Sequence, residues 1–157
     1  MVGYTPESRS NLSEMEATPV KLSTKGRYGL TAMLYLARHA EEGPLPLRRL
    51  TETGIQPDYL EQLLASLRRC GLVNTCRGAQ GGYSLARSPE EISVGDIITA
   101  TEGPVRFCDC ATDTAACCQK EHCDTRQVWV NLSEQMNGLL DSITLAQVLS
   151  DTQHEGV

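Results

Sequence analysis

The chain has 157 residues, 40% of them apolar and 22% charged, with a net charge of −6. That length holds one domain, or one small domain with an appendage, and it can bury a core without disulfide staples. No apolar run approaches the ~20 residues that cross a bilayer, and no basic start followed by an apolar core marks a secretory signal, so a cytoplasmic protein without a membrane partner is expected.

Charge is unevenly placed. From Lys21 to Arg87 ten Lys or Arg stand against five Asp or Glu, whereas from Ser88 to Val157 three stand against twelve. An anionic polymer such as nucleic acid therefore suits the front of the chain and not the back.

Residues 1–20 lack periodicity and apolar content and read as a disordered extension. Ser23 is a good N-cap, and Lys25 to Ala40 then follows helical spacing, with Leu30, Met33, Leu34 and Ala37 as its apolar face. Gly43-Pro44 ends that helix. Leu47 to Thr53 reads as a short helix closed by Gly54. Pro57 opens the next helix, where its missing N–H costs little. That helix runs through Leu60, Leu63, Leu64 and Leu67, all facing inward, and Gly71 caps it. Two helices joined by a glycine-containing turn make a helix-turn-helix. Two short strands, 72–77 and 83–86, flank the glycine-rich tip 78–82 and make a hairpin, the wing. Val94 to Thr101 is a further helix, stopped by Gly103-Pro104.

Five of the seven cysteines fall between Cys108 and Cys123. In a reducing compartment they point to metal, cluster or redox chemistry rather than to disulfides. From Arg126 the helical period returns. Val128, Leu132, Met136, Leu139 and Ile143 approach a heptad seam, which fits a helix that pairs two copies. Leu145 to Leu149 adds a last turn or two. The expected fold is mainly α with a small β-hairpin wing. It comprises a winged helix-turn-helix domain (21–103), a cysteine-rich loop (104–125), a dimerisation helix with the C-terminal segment (126–151) and a frayed tail (152–157).

Gripping DNA requires cations for phosphates and a rod that fits the major groove. Lys25, Arg27, Arg48, Arg49, Arg68 and Arg69 supply charge around the paired helices. Asp58, Tyr59, Glu61 and Gln62 lie near the start of the second helix, the end that normally meets base edges. Glu61 can accept from a cytosine amino group and Gln62 can pair with adenine. Arg77 at the wing tip suits a narrow minor groove, and Gly81 and Gly82 let backbone approach phosphates.

In the cysteine-rich loop, Cys110, Cys117 and Cys123 place three thiols among acidic neighbours. Soft thiolates select iron–sulfur clusters, zinc or copper(I). Structural zinc usually takes two closely spaced cysteine pairs, and this spacing lacks them. Cys70 and Cys76, in the DNA half, read as small buried or part-buried residues. His39 reads as solvent-facing.

Three motifs carry a resemblance: Leu-Ser-Thr-Lys-Gly-Arg-Tyr-Gly-Leu-Thr-Ala-Met (22–33), Tyr-Leu-Glu-Gln-Leu (59–63) and Arg-Gly-Ala-Gln-Gly-Gly-Tyr (77–83). They resemble the Rrf family of bacterial winged-helix transcription regulators, in particular its IscR-like iron–sulfur branch, with similarity to CymR and NsrR regulators. The resemblance implies a non-enzymatic homodimer that reads a palindromic operator in double-stranded DNA, as a repressor or activator. It implies DNA contacts at Asp58, Glu61, Gln62 and Arg77, although Asp58 departs from the small hydroxyl residue of the IscR-like branch. It also implies a redox-sensing iron–sulfur cluster, of 2Fe-2S type, on Cys110, Cys117 and Cys123. The His that follows the last cysteine in that branch is replaced here by Arg126, which cannot ligate. His122, Cys118, Cys108 or a residue of the partner subunit are the candidates for the fourth position. Zinc, or a metal-free thiol switch serving cysteine or sulfur metabolism, is the alternative.

Overall fold

A computed structural model describes residues 22–108 and 124–154. The extension 1–20 lies outside those residues. The first helix, α1 (Thr24–Arg38), starts where Ser23 turns from extended backbone and its hydroxyl accepts the Lys25 N–H at 3.2 Å. The buried side of α1 is Gly26, Gly29, Ala32, Met33 and Leu36. Leu30, Leu34 and Ala37 are only partly buried against the core, so the inward face is rotated from the one expected. The reason is close helix packing. A Cβ on Gly29 would stand 2.8 Å from Thr101 Cγ2, so the two glycines let a later helix lie against the side of α1 that appeared featureless.

Beyond a 3₁₀ turn at Ala40–Glu42, α2 (Leu47–Leu50) passes into a second 3₁₀ turn that ends at Gly54, whose φ is +82°. Pro57 is the first residue of α3 (Pro57–Arg69), which buries Leu60, Leu63, Leu64 and Leu67. Its end closes as a Schellman motif: Gly71, at φ +72°, donates to the Arg68 carbonyl and Leu72 to the Leu67 carbonyl, each at 3.0 Å. The chain then enters β1 (Val73–Cys76), antiparallel to β2 (Gly82–Leu85). Leu45 adds to this hairpin, exchanging two 2.8 Å hydrogen bonds with Tyr83.

Ser93 caps α4 (Val94–Glu102) with a reciprocal capping box to Asp96. The longest helix among the described residues, α5 (Arg126–Ser142), packs on α4. The last, α6 (Leu145–His154), is longer than one or two turns and runs into the segment expected to fray. It folds back onto α1: Leu145 is fully buried and Arg38 donates to Thr152 at 2.9 Å. Met33, Leu36, Leu50, Leu60, Leu64, Leu67, Leu72 and Ile97 share one core with Leu145. No helix among the described residues is long and apolar enough to cross a membrane.

Candidate nucleic-acid interface and cysteine segment

The starts of α1 and α3 come together. Tyr28 and Tyr59 meet edge to face, with centroids 5.8 Å apart and planes at 79°. With Thr24, Gly54, Ile55 and Gln56 they line an open groove of about 480 Å³. Lys25 and Arg27 are exposed on the first turn of α1. Asp58, Glu61, Gln62 and Arg68 are exposed along α3, spaced so that they share its outward face. The wing presents Arg77, also exposed. Among the described residues, Lys25, Arg27, Arg68 and Arg77 have no carboxylate within ion-pair distance, so their charge is available to an outside anion.

Other candidates are already engaged. Arg49 is held between Glu42 and Glu52, each at 3.3 Å. Glu52 also accepts the Tyr35 hydroxyl at 2.6 Å. The Arg49 guanidinium is raised above its ordinary pKa by Tyr35 and then by Glu42. Glu42 is lowered, first by its hydrogen bond with His39 at 2.6 Å. His39 is thus half-buried, bonded to Glu42 and 4.5 Å from the Tyr35 ring, rather than simply solvent-facing. Arg69 donates to Ser66 at 3.0 Å.

The glycines of the wing are needed by the fold itself. A Cβ on Gly82 would run into the Leu45 and Pro46 backbone, and one on Gly81 into the Cys76 carbonyl. Cys70 and Cys76 are exposed, not buried. Cys70 caps α3, and Cys76 ends β1 on a strand whose last three residues all face solvent.

Cys110, Cys117, Cys118, His122 and Cys123 lie outside the described residues. Cys108 is described, and it is half-buried. The chain leading to it is tied to α5 by groups that carried no sequence signal. Asn137 accepts the Val105 N–H and donates to the Val105 carbonyl, both at 2.9 Å. Ser133, the one buried residue of α5, accepts the Phe107 N–H at 3.2 Å. The chain returns at Asp124 and enters α5 directly. Both described ends of the cysteine segment therefore meet the same helix. Among the described residues no group of three or more His, Cys, Asp or Glu could hold a metal ion.

Much of the apolar surface of α5 is left exposed. Val128, Trp129, Leu132 and Leu139 are 53%, 39%, 38% and 58% exposed. The seam expected from the sequence does not include Trp129. Taking it in place of Val128 gives Trp129, Leu132, Met136 and Leu139, a three-four-three spacing within the helix; Ile143, expected to continue the seam, is the extended C-cap that follows α5.

A family model for Rrf2, described as iron-dependent transcriptional regulator, matches residues 22–151. The chain is 43% identical over 133 residues to the HTH-type transcriptional regulator IscR of Serratia proteamaculans, covering 84% of this chain and 80% of that protein. It is 41% identical over 137 residues to the HTH-type transcriptional regulator CymR of Bacillus subtilis, covering 87% and 94%. Among solved structures, T. potens IscR superposes with a TM-score of 0.71 at 44% identity, over 88% of this chain and 92% of that one. The B. subtilis global cysteine regulator CymR gives 0.69 at 40%, over 84% and 98%. With the winged arrangement of helices and hairpin, these matches show that the chain belongs to the Rrf2 family of transcriptional regulators.

Proposed function

We propose that the chain works as a homodimeric, DNA-binding regulator whose affinity for a palindromic operator reports the state of an iron–sulfur cluster on the cysteine segment. One observation carries the DNA half. Four exposed cations without carboxylate partners and the polar outward face of α3 lie on the elements that a winged helix uses to grip a duplex. In this reading Glu61 and Gln62 read base edges, Arg77 enters a minor groove, and Lys25, Arg27 and Arg68 meet phosphates. Asp58 and Tyr59 flank the reading positions. The role is regulatory, not enzymatic, as befits the family.

The donor chemistry fits a cluster. Cys110, Cys117 and Cys123 are soft thiolate donors, Arg126 provides no ligand, and His122, Cys118 and Cys108 compete for the fourth position. When bound, the cluster supplies a redox-sensitive or breakable link. The chain's own contribution is mechanical. Asn137 and Ser133 strap the approach to the segment onto α5, so a rearrangement there acts on the helix that spaces two reading heads.

The test is anaerobic purification with a visible spectrum and iron, sulfide and zinc analysis. Colour with iron and acid-labile sulfide is expected. Colourless protein with stoichiometric zinc would replace the cluster by zinc. That second reading, a thiol or zinc switch in sulfur metabolism, is favoured by the 94% coverage of CymR and by exposed Cys70 and Cys76. Cys117→Ala is expected to lose the cluster's colour and bound iron, and a variant with full iron would remove Cys117 from the ligand set. Arg77→Ala is expected to weaken operator binding about tenfold and to relax specificity; unchanged titrations would end its assigned role.

A further inference from the structure

We propose that Glu102, at the far end of α4, positions the phosphate-gripping first turn of α1. The proposal rests on the reading of that turn as part of the DNA face.

The first turn of α1 carries Lys25 and Arg27 and no acidic residue. Cations at a helix N-terminus oppose its dipole and leave its free N–H groups without an anionic partner. The Ser23 hydroxyl satisfies only the Lys25 N–H. In a capping box the Ser23 hydroxyl would accept the Gly26 N–H and a Glu at position 26 would accept the Ser23 N–H, but here the hydroxyl is on Lys25 and residue 26 is glycine, so the Gly26 N–H needs another acceptor. The carboxylate comes instead from 76 residues downstream: Glu102 Oε1 accepts the Gly26 N–H at 2.6 Å.

The glycine is what makes the arrangement possible. A Cβ on Gly26 would strike that same carboxylate, and Gly29 one turn on admits Thr101. Glu102 thus does two things. It supplies the anionic partner that the helix N-terminus otherwise lacks, and it fixes the turn against α4. Lys25 and Arg27 then leave the helix at a set height beside the start of α3, where Tyr28 meets Tyr59.

The experiment uses the full chain and a duplex that the wild-type protein selects from a random-sequence pool, titrated across a salt series. Glu102→Ala is expected to bind about tenfold more weakly, with a salt slope shallower by about one to two phosphates. Glu102→Gln keeps an acceptor oxygen without the charge and is expected to fall between. It carries the test if the alanine variant does not fold by circular dichroism. A Lys25→Ala/Arg27→Ala variant should show the same shallow slope, and adding the Glu102 change to it should cost nothing more, because Glu102 acts through those two side chains. Additive losses, or a folded Glu102 variant with the wild-type slope, would overturn the proposal. A Lys25→Ala/Arg27→Ala variant that binds like wild type would instead remove the start of α1 from the DNA face, and the proposal with it.

Discussion

Replacing Leu132 and Leu139 together by Glu is expected to yield a folded monomer that binds its operator at least about 100-fold more weakly. Both side chains are substantially exposed in the single chain, so the change costs the isolated fold little. In a paired α5 the same positions lie at the centre of the seam, and burying two carboxylates per chain without partners opposes association strongly. The DNA effect follows from linkage. Two reading heads joined in one dimer make the second contact intramolecular, and losing that advantage is worth about 10²–10⁴ in affinity. Light scattering and operator titration give the two readouts. A variant that stays dimeric would end the assignment of this stripe to a second copy. Ser133→Ala is a useful companion. It leaves the apolar stripe intact and removes the acceptor for the Phe107 N–H, so it should spare the dimer while loosening the approach to the cysteine segment. Faster hydrogen exchange at Phe107 is the expected sign.

The elements legible in the sequence are those announced by local chemistry. Ser23, Pro57, Gly54 and Gly71 each mark a boundary through a cap or a backbone conformation, and α3 buries the four leucines that its period selects. Signals fail where the cause is distant. The inward face of α1 is defined by Gly26 and Gly29, which look inert until α4 lies on them. The Leu45–Tyr83 pairing involves one residue on its outer side, too few for any periodicity. Asn137 and Ser133 look like a solvated helix face and serve backbone groups instead. Cys70 and Cys76 resemble small core residues by type, yet the end of α3 and the open edge of β1 turn them outward. For the candidate site, residue types and their order were readable. Which cations remain unpaired was not, because the Glu42–Arg49–Glu52 cluster closes only in three dimensions.

Gly82 separates a structural role from a contact role, because the two predict different measurements. Gly82→Ala is expected to lower stability by about 1–3 kcal/mol, the range for forcing atoms into a filled site. The obstacle is the backbone of Leu45 and Pro46 rather than a flexible side-chain end, so it cannot move aside cheaply. Relief requires the wing to lift from residues 45–46, breaking the two 2.8 Å bonds between Leu45 and Tyr83. Urea unfolding measures the loss, and operator titration should show weaker binding as Arg77 loses its fixed place. Were Gly82 needed only to let backbone approach a phosphate, the free protein would keep its wild-type stability and only the DNA titration would change. A drop in both, with wing amides exchanging faster in the free protein, is the outcome that the packing at Leu45 requires.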